Sequence, residues 1–327
     1  METRSSKLAV RPLRGSGIGI SAIAFGAGPV SGLMTAEAKR DQVATVGRAI
    51  ERGINWFDTA ATYGAGQSEK SLGDALADLQ AGEGVHVATK VRLAAEDLCD
   101  IKEAVKRSVA GSLKRLRRER VTLLQVHNSI TCERGDLPTS ITVKDVYGKG
   151  GVQEAFEELR AEGMIRHFGL TGLGHLKALR NVLDDEVWTT VQVHEHVLIR
   201  RAEEPASLLM TCEEHGAEAL AIRVFAGGAL SAQPPSAHTL KTPFFPLAIY
   251  ERDQRNACEL AKLLPDGLSL PEVAIRHVVG NERFISAIVG FASPNQVDDA
   301  VTWAERGALP PEIRELIAKM PLPEEIP

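Results

Sequence analysis

Short apolar runs alternate along the chain with longer segments in which apolar residues recur every three or four positions. The runs ISAIAFGA (20–27), NWFDTA (55–60), VHVATK (85–90), TLLQVHN (122–128), IRHFGLTG (165–172), TTVQVHE (189–195), EALAIRVF (218–225) and FISAIVGF (284–291) read as strands. Several are apolar at consecutive positions, the pattern of parallel strands covered on both faces. Between them AKRDQVATVGRAIERG, SEKSLGDALADL, IKEAVKRSVAGSLKRL and VQEAFEELRAEG carry helical spacing. Eight strands, most followed by a helix, predict an α/β fold closed as a (β/α)8 TIM barrel. No GxGxxG turn follows the first strand, which argues against a Rossmann-type βαβ unit.

Ahead of the barrel, LAVRPL and the turn at Gly15-Ser16-Gly17 predict a small β-hairpin. GALPPEIRELIAKMPLPEEIP predicts an extra C-terminal helix and a proline-rich tail. Two connections, 129–149 and 226–250, are long, as functional loops in compact folds often are. Residues 1–327 are read as a single barrel domain, a length the architecture accommodates.

Composition narrows the function classes. Apolar residues make up 44% and charged residues 25%, ample for a sizeable core. Net charge is 38 − 43 = −5, so no global field recruits nucleic acid or an anionic membrane. The basic run Lys114-Arg115-Leu116-Arg117-Arg118 reads as the exposed face and last turn of a helix. Cys99, Cys132, Cys212 and Cys258 lie far apart without a CxxC pair, which suits reduced thiols rather than a zinc site or disulfides. No signal-like apolar core or membrane-length run is evident, so the expected location is the cytoplasm.

Chemistry in such a barrel gathers where strands end at their carboxyl side. The pattern places Asp58, Lys90 and His127 at the ends of the second, third and fourth strands, with Tyr63 in the loop after the second. Singly, each has an ordinary structural role: a turn cap, a solvated lysine, a core histidine, a packing ring. Together, on three consecutive strand ends, they form a constellation. GINWFDTAATYGAGQSEKSLGDAL, VATK and LLQVHN resemble the signature of the aldo-keto reductase superfamily, and the likeness runs from the hairpin to SPNQVDDAV. The resemblance implies a catalytic tetrad of Asp58, Tyr63, Lys90 and His127. It also implies reversible hydride transfer between NAD or NADP and an aldehyde, ketone or sugar carbonyl.

The same four residues make chemical sense on their own. Tyrosine is a poor acid in water, with a pKa of about 10, and a neighbouring ammonium favours its phenolate. Asp58 would hold Lys90 charged, because an unpaired buried lysine tends to lose its proton. His127 would hydrogen-bond the substrate carbonyl, while Tyr63 protonates the developing alkoxide or takes the alcohol proton. No side chain supplies hydride, so a nicotinamide must.

For the cofactor, the resemblance implies that Thr171, ending strand five, and Gln192, on strand six, meet the nicotinamide carboxamide. RVFAGGAL resembles the segment beneath the nicotinamide and pyrophosphate, with Ile222 or Arg223 where a stacking tyrosine would stand. IVGFASPNQVDDAV resembles the adenosine-binding segment, which brings in Ser293 and Gln296. NADP-preferring relatives often carry arginine or lysine there. This chain has Phe291-Ala292-Ser293, acids at Asp298 and Asp299, and Ala300 in place of the usual asparagine. A doubly charged phosphate wants a cation, so a nearly even choice tilts slightly to NAD. The loop PPSAHTLKTPFF is expected to fold over the pyrophosphate, with Lys241 supplying charge.

His194-Glu195-His196 offers an HxH pair with both histidines on one strand face. A metal needs further ligands on other strand ends, where the tetrad stands instead, so no metal is expected and His196 or Glu195 is assigned to the pocket wall. Two contrasting functions use the same architecture: a nicotinamide-binding sensor or regulatory subunit, and a metal-dependent hydrolase. Neither the individual substrate nor the oligomeric state is encoded in a motif.

Overall fold

The structure, a computed structural model, describes residues 8–200, 204, 206–242 and 245–323. Gly15 and Gly17, with φ of 67° and 71°, supply the left-handed turn of an antiparallel hairpin, β1 (Val10–Leu13) and β2 (Ile18–Ser21). The chain then passes through Ala22 into β3 (Ile23–Gly26). Ala22 gives its N–H to Ala9 beside the hairpin and its carbonyl to Ala287 of the last barrel strand. The apolar run expected as one strand over 20–27 is therefore divided at Ala22, where the chain changes sheets.

β3 is followed round the barrel by β4 (Trp56–Asp58), β5 (His86–Val91) and β6 (Val121–Val126). Two short strands, β7 (Ile130–Thr131) and β8 (Ile141–Thr142), pair with each other outside it. The ring continues with β9 (Ile165–Thr171), β10 (Trp188–His194), β11 (Glu218–Ile222) and β12 (Phe284–Gly290). All neighbours pair in parallel and β12 returns to β3, closing eight strands into a (β/α)8 barrel.

The connecting helices are α1 (Lys39–Glu51), α2 (Gln67–Asp78), α3 (Ile101–Leu116), α4 (Val143–Tyr147), α5 (Val152–Ala161) and α6 (Leu176–Leu183). They continue as α7 (Leu208–Glu214), α8 (Ala237–Lys241), α9 (Leu247–Leu263), α10 (Leu270–Val279), α11 (Pro294–Glu305) and the C-terminal α12 (Pro311–Lys319). Local chemistry sets their ends. Asp100 caps α3 by accepting from Glu103 N–H, and Lys114 and Arg115 complement the dipole of its last turn. Ser269 caps α10 on Glu272 N–H. The long connections are not bare loops: 129–149 holds β7, β8 and all of α4, and 226–250 holds α8 and the start of α9. No helix among the described residues is long and apolar enough to cross a membrane.

Apolar side chains pack in two layers. The larger lies between the strands and the surrounding helices. The smaller fills the base of the barrel with Leu13, Ile20, Ala24, Trp56, Ala88, Leu123, Leu220 and Ile285, so the hairpin plugs that end. Two residues further along three of these strands the inward position turns polar: Trp56 gives way to Asp58, Ala88 to Lys90 and Leu123 to Gln125. Strand alternation thus sets a buried polar layer directly on an apolar floor.

Candidate active site

Asp58 ends β4 and pairs in register with Ala88, so Lys90 stands one pleat nearer the barrel mouth. Its side chain is 0% exposed and ion-pairs with Asp58 Oδ1. The same ammonium donates to the Thr59 carbonyl at 2.9 Å and lies 3.3 Å from the Tyr63 hydroxyl. Burial alone would strip the Lys90 proton, but Asp58 and then Tyr63 outweigh it and hold the ammonium above its ordinary value. The other Asp58 oxygen accepts from two amides, Gln125 Nε2 at 2.9 Å and Gln192 Nε2 at 2.7 Å.

Tyr63 is delivered by a tight return. Gly64, Ala65 and Gly66 take left-handed φ of 58°, 52° and 92° in succession, turning the chain into α2. Ser68, near the start of α2, donates to the Ala27 carbonyl at 2.7 Å and meets Thr59 Oγ1 at 2.8 Å. Glu69, fully buried, accepts from Thr89 Oγ1 and, at 2.7 Å, from Arg115 Nε. Arg115 is therefore an anchor beneath the Tyr63 loop rather than part of an exposed basic face. A Cβ on Gly66 would stand 2.7 Å from Arg115 Cδ, so only glycine leaves room for it.

His127 lies one residue beyond β6 rather than on the strand, tied by its N–H to the Val91 carbonyl at 2.8 Å. Its ring meets Tyr63 edge-on at 5.6 Å between centroids, and Nδ1 lies 3.3 Å from Thr62 Oγ1. Burial first, then Lys90 and Arg92, push the imidazole well below its ordinary 6.5, so it is neutral at physiological pH. The Arg92 guanidinium grips the His127 carbonyl at 3.1 and 3.3 Å. Asn128 bonds both backbone groups of Leu93, at 2.9 and 2.8 Å, and the Thr139 carbonyl at 2.6 Å, joining two walls of the mouth.

The four residues expected from the sequence thus converge around one phenol. Gln125, Asn128, Arg92 and the Glu69–Arg115 pair were not anticipated. Gln125 had a signal: it is a polar inward position within the apolar run LLQV.

The positions expected to hold a cofactor are more dispersed. Thr171 ends β9, and its buried Oγ1 has no hydrogen-bond partner among the described residues. Gln192 is buried in the barrel, with its amide nitrogen on Asp58. Arg223 follows β11 with φ of 59°, and its guanidinium carbon sits 3.7 Å from the centre of the Phe245 ring, which also packs on His194. Ser293 occupies the N-cap position of α11, and Gln296 Oε1 accepts from Ala292 N–H at 2.7 Å. Lys241 is the exposed last residue of α8, and that helix is tied to the chain after β11 by Thr239 Oγ1 on the Gly227 carbonyl at 3.0 Å. Asp298 turns back to α1, where Arg48 and Arg52 hold it at 2.8 and 2.6 Å, so its charge is neutralised within the fold.

The HxH pair separates, because β10 ends at His194 and strand alternation lapses there. His196 is buried 3.9 Å from Asp253 Oδ2, and Glu195 pairs with His277 at 2.8 Å. No cluster of three His, Cys, Asp or Glu side chains among the described residues is arranged to hold a metal ion.

A sequence model described as the Aldo/keto reductase family matches residues 22–320. The chain is similar to L-galactose dehydrogenase from Arabidopsis thaliana, 31% identical over 90% of this chain and 88% of that protein. It is also similar to D-threo-aldose 1-dehydrogenase from a Pseudomonas species, 27% identical over 88% of this chain and 91% of that protein. Among solved structures, an aldo-keto reductase from Bacillus halodurans in its holo form aligns with a TM-score of 0.71 at 25% identity, covering 95% of this chain and 96% of that one.

Proposed function

The chain belongs to the aldo/keto reductase family, and we propose that it is an NAD(P)-dependent dehydrogenase acting on a sugar or other small carbonyl–alcohol pair. One observation carries this reading: the Lys90 ammonium, buried and ion-paired with Asp58, lies 3.3 Å from the Tyr63 hydroxyl. That arrangement suits a phenol that hands a proton to a developing alkoxide and takes one from an alcohol. Tyr63 acts as the acid in reduction and the base in oxidation. Lys90 stabilises its phenolate, and Asp58 keeps Lys90 charged. A Thr62 hydroxyl donating to Nδ1 leaves the His127 proton on Nε2, where a neutral imidazole donates to the substrate oxygen.

When bound, the nicotinamide supplies or accepts the hydride. The buried, unpartnered Thr171 Oγ1 suits a carboxamide, with Gln192 beside it; Arg223, Ser293, Gln296 and Lys241 are assigned to the rest of the cofactor. NAD keeps a slight preference, because no arginine or lysine stands between residues 291 and 296. The preference is narrower than the sequence suggested, since Arg48 and Arg52 cancel the charge of Asp298. The sugar class is suggested by the names of the two curated relatives.

Turnover decides between this reading and a cofactor-binding sensor. Aldoses and simple aldehydes are supplied with NAD or NADP and the nicotinamide absorbance is followed. An aldose turned over with NAD at least as efficiently as with NADP is the expected result. Cofactor binding without turnover of any substrate would instead support the sensor.

A further inference from the structure

We propose that Gln125 is a positioning residue, whose carboxamide sets the charge that Asp58 presents to Lys90 and so the pH at which Tyr63 exchanges its proton. The inference rests on the acid–base role given to Tyr63 above and adds a residue outside that set.

Gln125 sits on β6 in register with Lys90 on one side and Gly169 on the other, so it belongs to the same barrel layer as the ammonium. It is 0% exposed. Its Nε2 reaches Asp58 Oδ2 at 2.9 Å, while Lys90 holds Oδ1. A buried carboxylate needs hydrogen-bond donors, and three, from β5, β6 and β10, meet it here. The amide has one workable orientation, since turned over it would set its carbonyl against the carboxylate.

Gly169 makes the space. A Cβ there would lie 3.1 Å from Gln125 Cγ and 2.5 Å from Thr190 Oγ1. A larger residue would meet Thr190 first and crowd the Gln125 stem from the side opposite Lys90. Gln192 also donates to Asp58, but it is assigned to the cofactor as well, so changing it would mix two effects. Gln125 isolates one.

A hydrogen bond to the carboxylate draws negative charge away from the side that faces Lys90. Without it, Asp58 pulls harder on the ammonium, and less positive charge stabilises the Tyr63 phenolate. Tyr63 then gives up its proton only at higher pH. The sign is the same for both reaction directions: oxidation, which needs phenolate, begins at higher pH, and reduction, which needs phenol, persists to higher pH.

The test is the pH–rate profile of Gln125→Met, which keeps the length and removes the donor. The expected midpoint lies about half a pH unit or more above wild type, and kcat for oxidation at pH 7 falls about three- to tenfold. Cofactor Kd and substrate KM should stay within about twofold, because Gln125 is fully buried with its amide on Asp58. Gln125→Glu puts a carboxylic acid beside the ionised Asp58, where it stays protonated and donates in place of the amide, so its midpoint should stay close to wild type. A folded Gln125→Met protein with an unmoved midpoint overturns the proposal, as does a change confined to KM or to thermal stability. Should that variant fail to fold, Gln125→Asn, one methylene shorter, withdraws the amide from Asp58, and an unmoved midpoint there is equally fatal. A wild-type protein without turnover would sink the dehydrogenase reading itself, and this inference with it. Normal turnover with fixed midpoints sinks the inference alone.

Discussion

At Lys90 two opposing effects meet, and the pocket decides between them. Removal from water works against an ammonium, while the Asp58 carboxylate in contact works for it and prevails. Lys90→Met would leave Asp58 buried with only amide donors. We expect a stability loss of about 3–5 kcal/mol in denaturant titration, and kcat reduced by about 10²-fold or more through the loss of phenolate stabilisation. His127 and His196 titrate in the opposite sense. Burial, followed by neighbouring positive charge, depresses both well below 6.5 in the folded chain. Above that value both states are neutral and their contribution is fully present. As pH falls below it the unfolded chain takes up protons that the folded chain refuses, so stability is lost on acidification. Urea midpoints at pH 7 and pH 5 should show that loss, and His127→Asn should flatten it; an unchanged slope would mean that His127 is not held neutral. At this scale the four converging residues were legible because all four lie in three recognisable strings. The partner of Gln192 was not legible, because Asp58 is 134 residues away and only the closed barrel brings them together.

The element that delivers Tyr63 is held from outside the barrel. Three successive left-handed residues make the return from β4 into α2, and one of them, Ala65, carries a side chain there at φ 52°. Such a conformation costs about 1–2 kcal/mol for a non-glycine residue, so the turn needs support. Arg115 gives it by neutralising the buried Glu69 and packing against Gly66. Arg115→Met should lower stability by about 2 kcal/mol or more, discounted from a fully buried pair because the arginine is one-third exposed. Chemical denaturation measures this, and a shift no larger than that of an exposed-site control such as Lys114→Met would refute the anchor. The basic run looked like a solvated helix end because charge pattern alone carries no information about a glutamate 46 residues away. The helix itself was readable to the residue: IKEAVKRSVAGSLKRL is α3. Strand limits were less so, since the apolar run 20–27 serves two sheets and apolarity does not mark where hydrogen-bond partners change.

Across the whole molecule, the barrel was legible in the alternation of apolar runs with helical segments, because each parallel strand buried on both faces leaves an unmistakable run. Hidden from that pattern was the vertical organisation of the interior, an apolar floor closed by the hairpin and a polar layer above it. That division explains how one charged pair survives in a core: it lies where the floor ends, supplied with amide donors from two strands. It also makes the half-buried Tyr63 the point where the buried interior meets the mouth, and its proton the centre of the account. The most direct measurement is therefore on Tyr63→Phe, which removes the hydroxyl and little else. Cofactor Kd, read by fluorescence, should stay close to wild type, while kcat falls by about 10²–10⁴-fold. Near-normal kcat in that variant would contradict the role given to Tyr63 and the mechanism built on it.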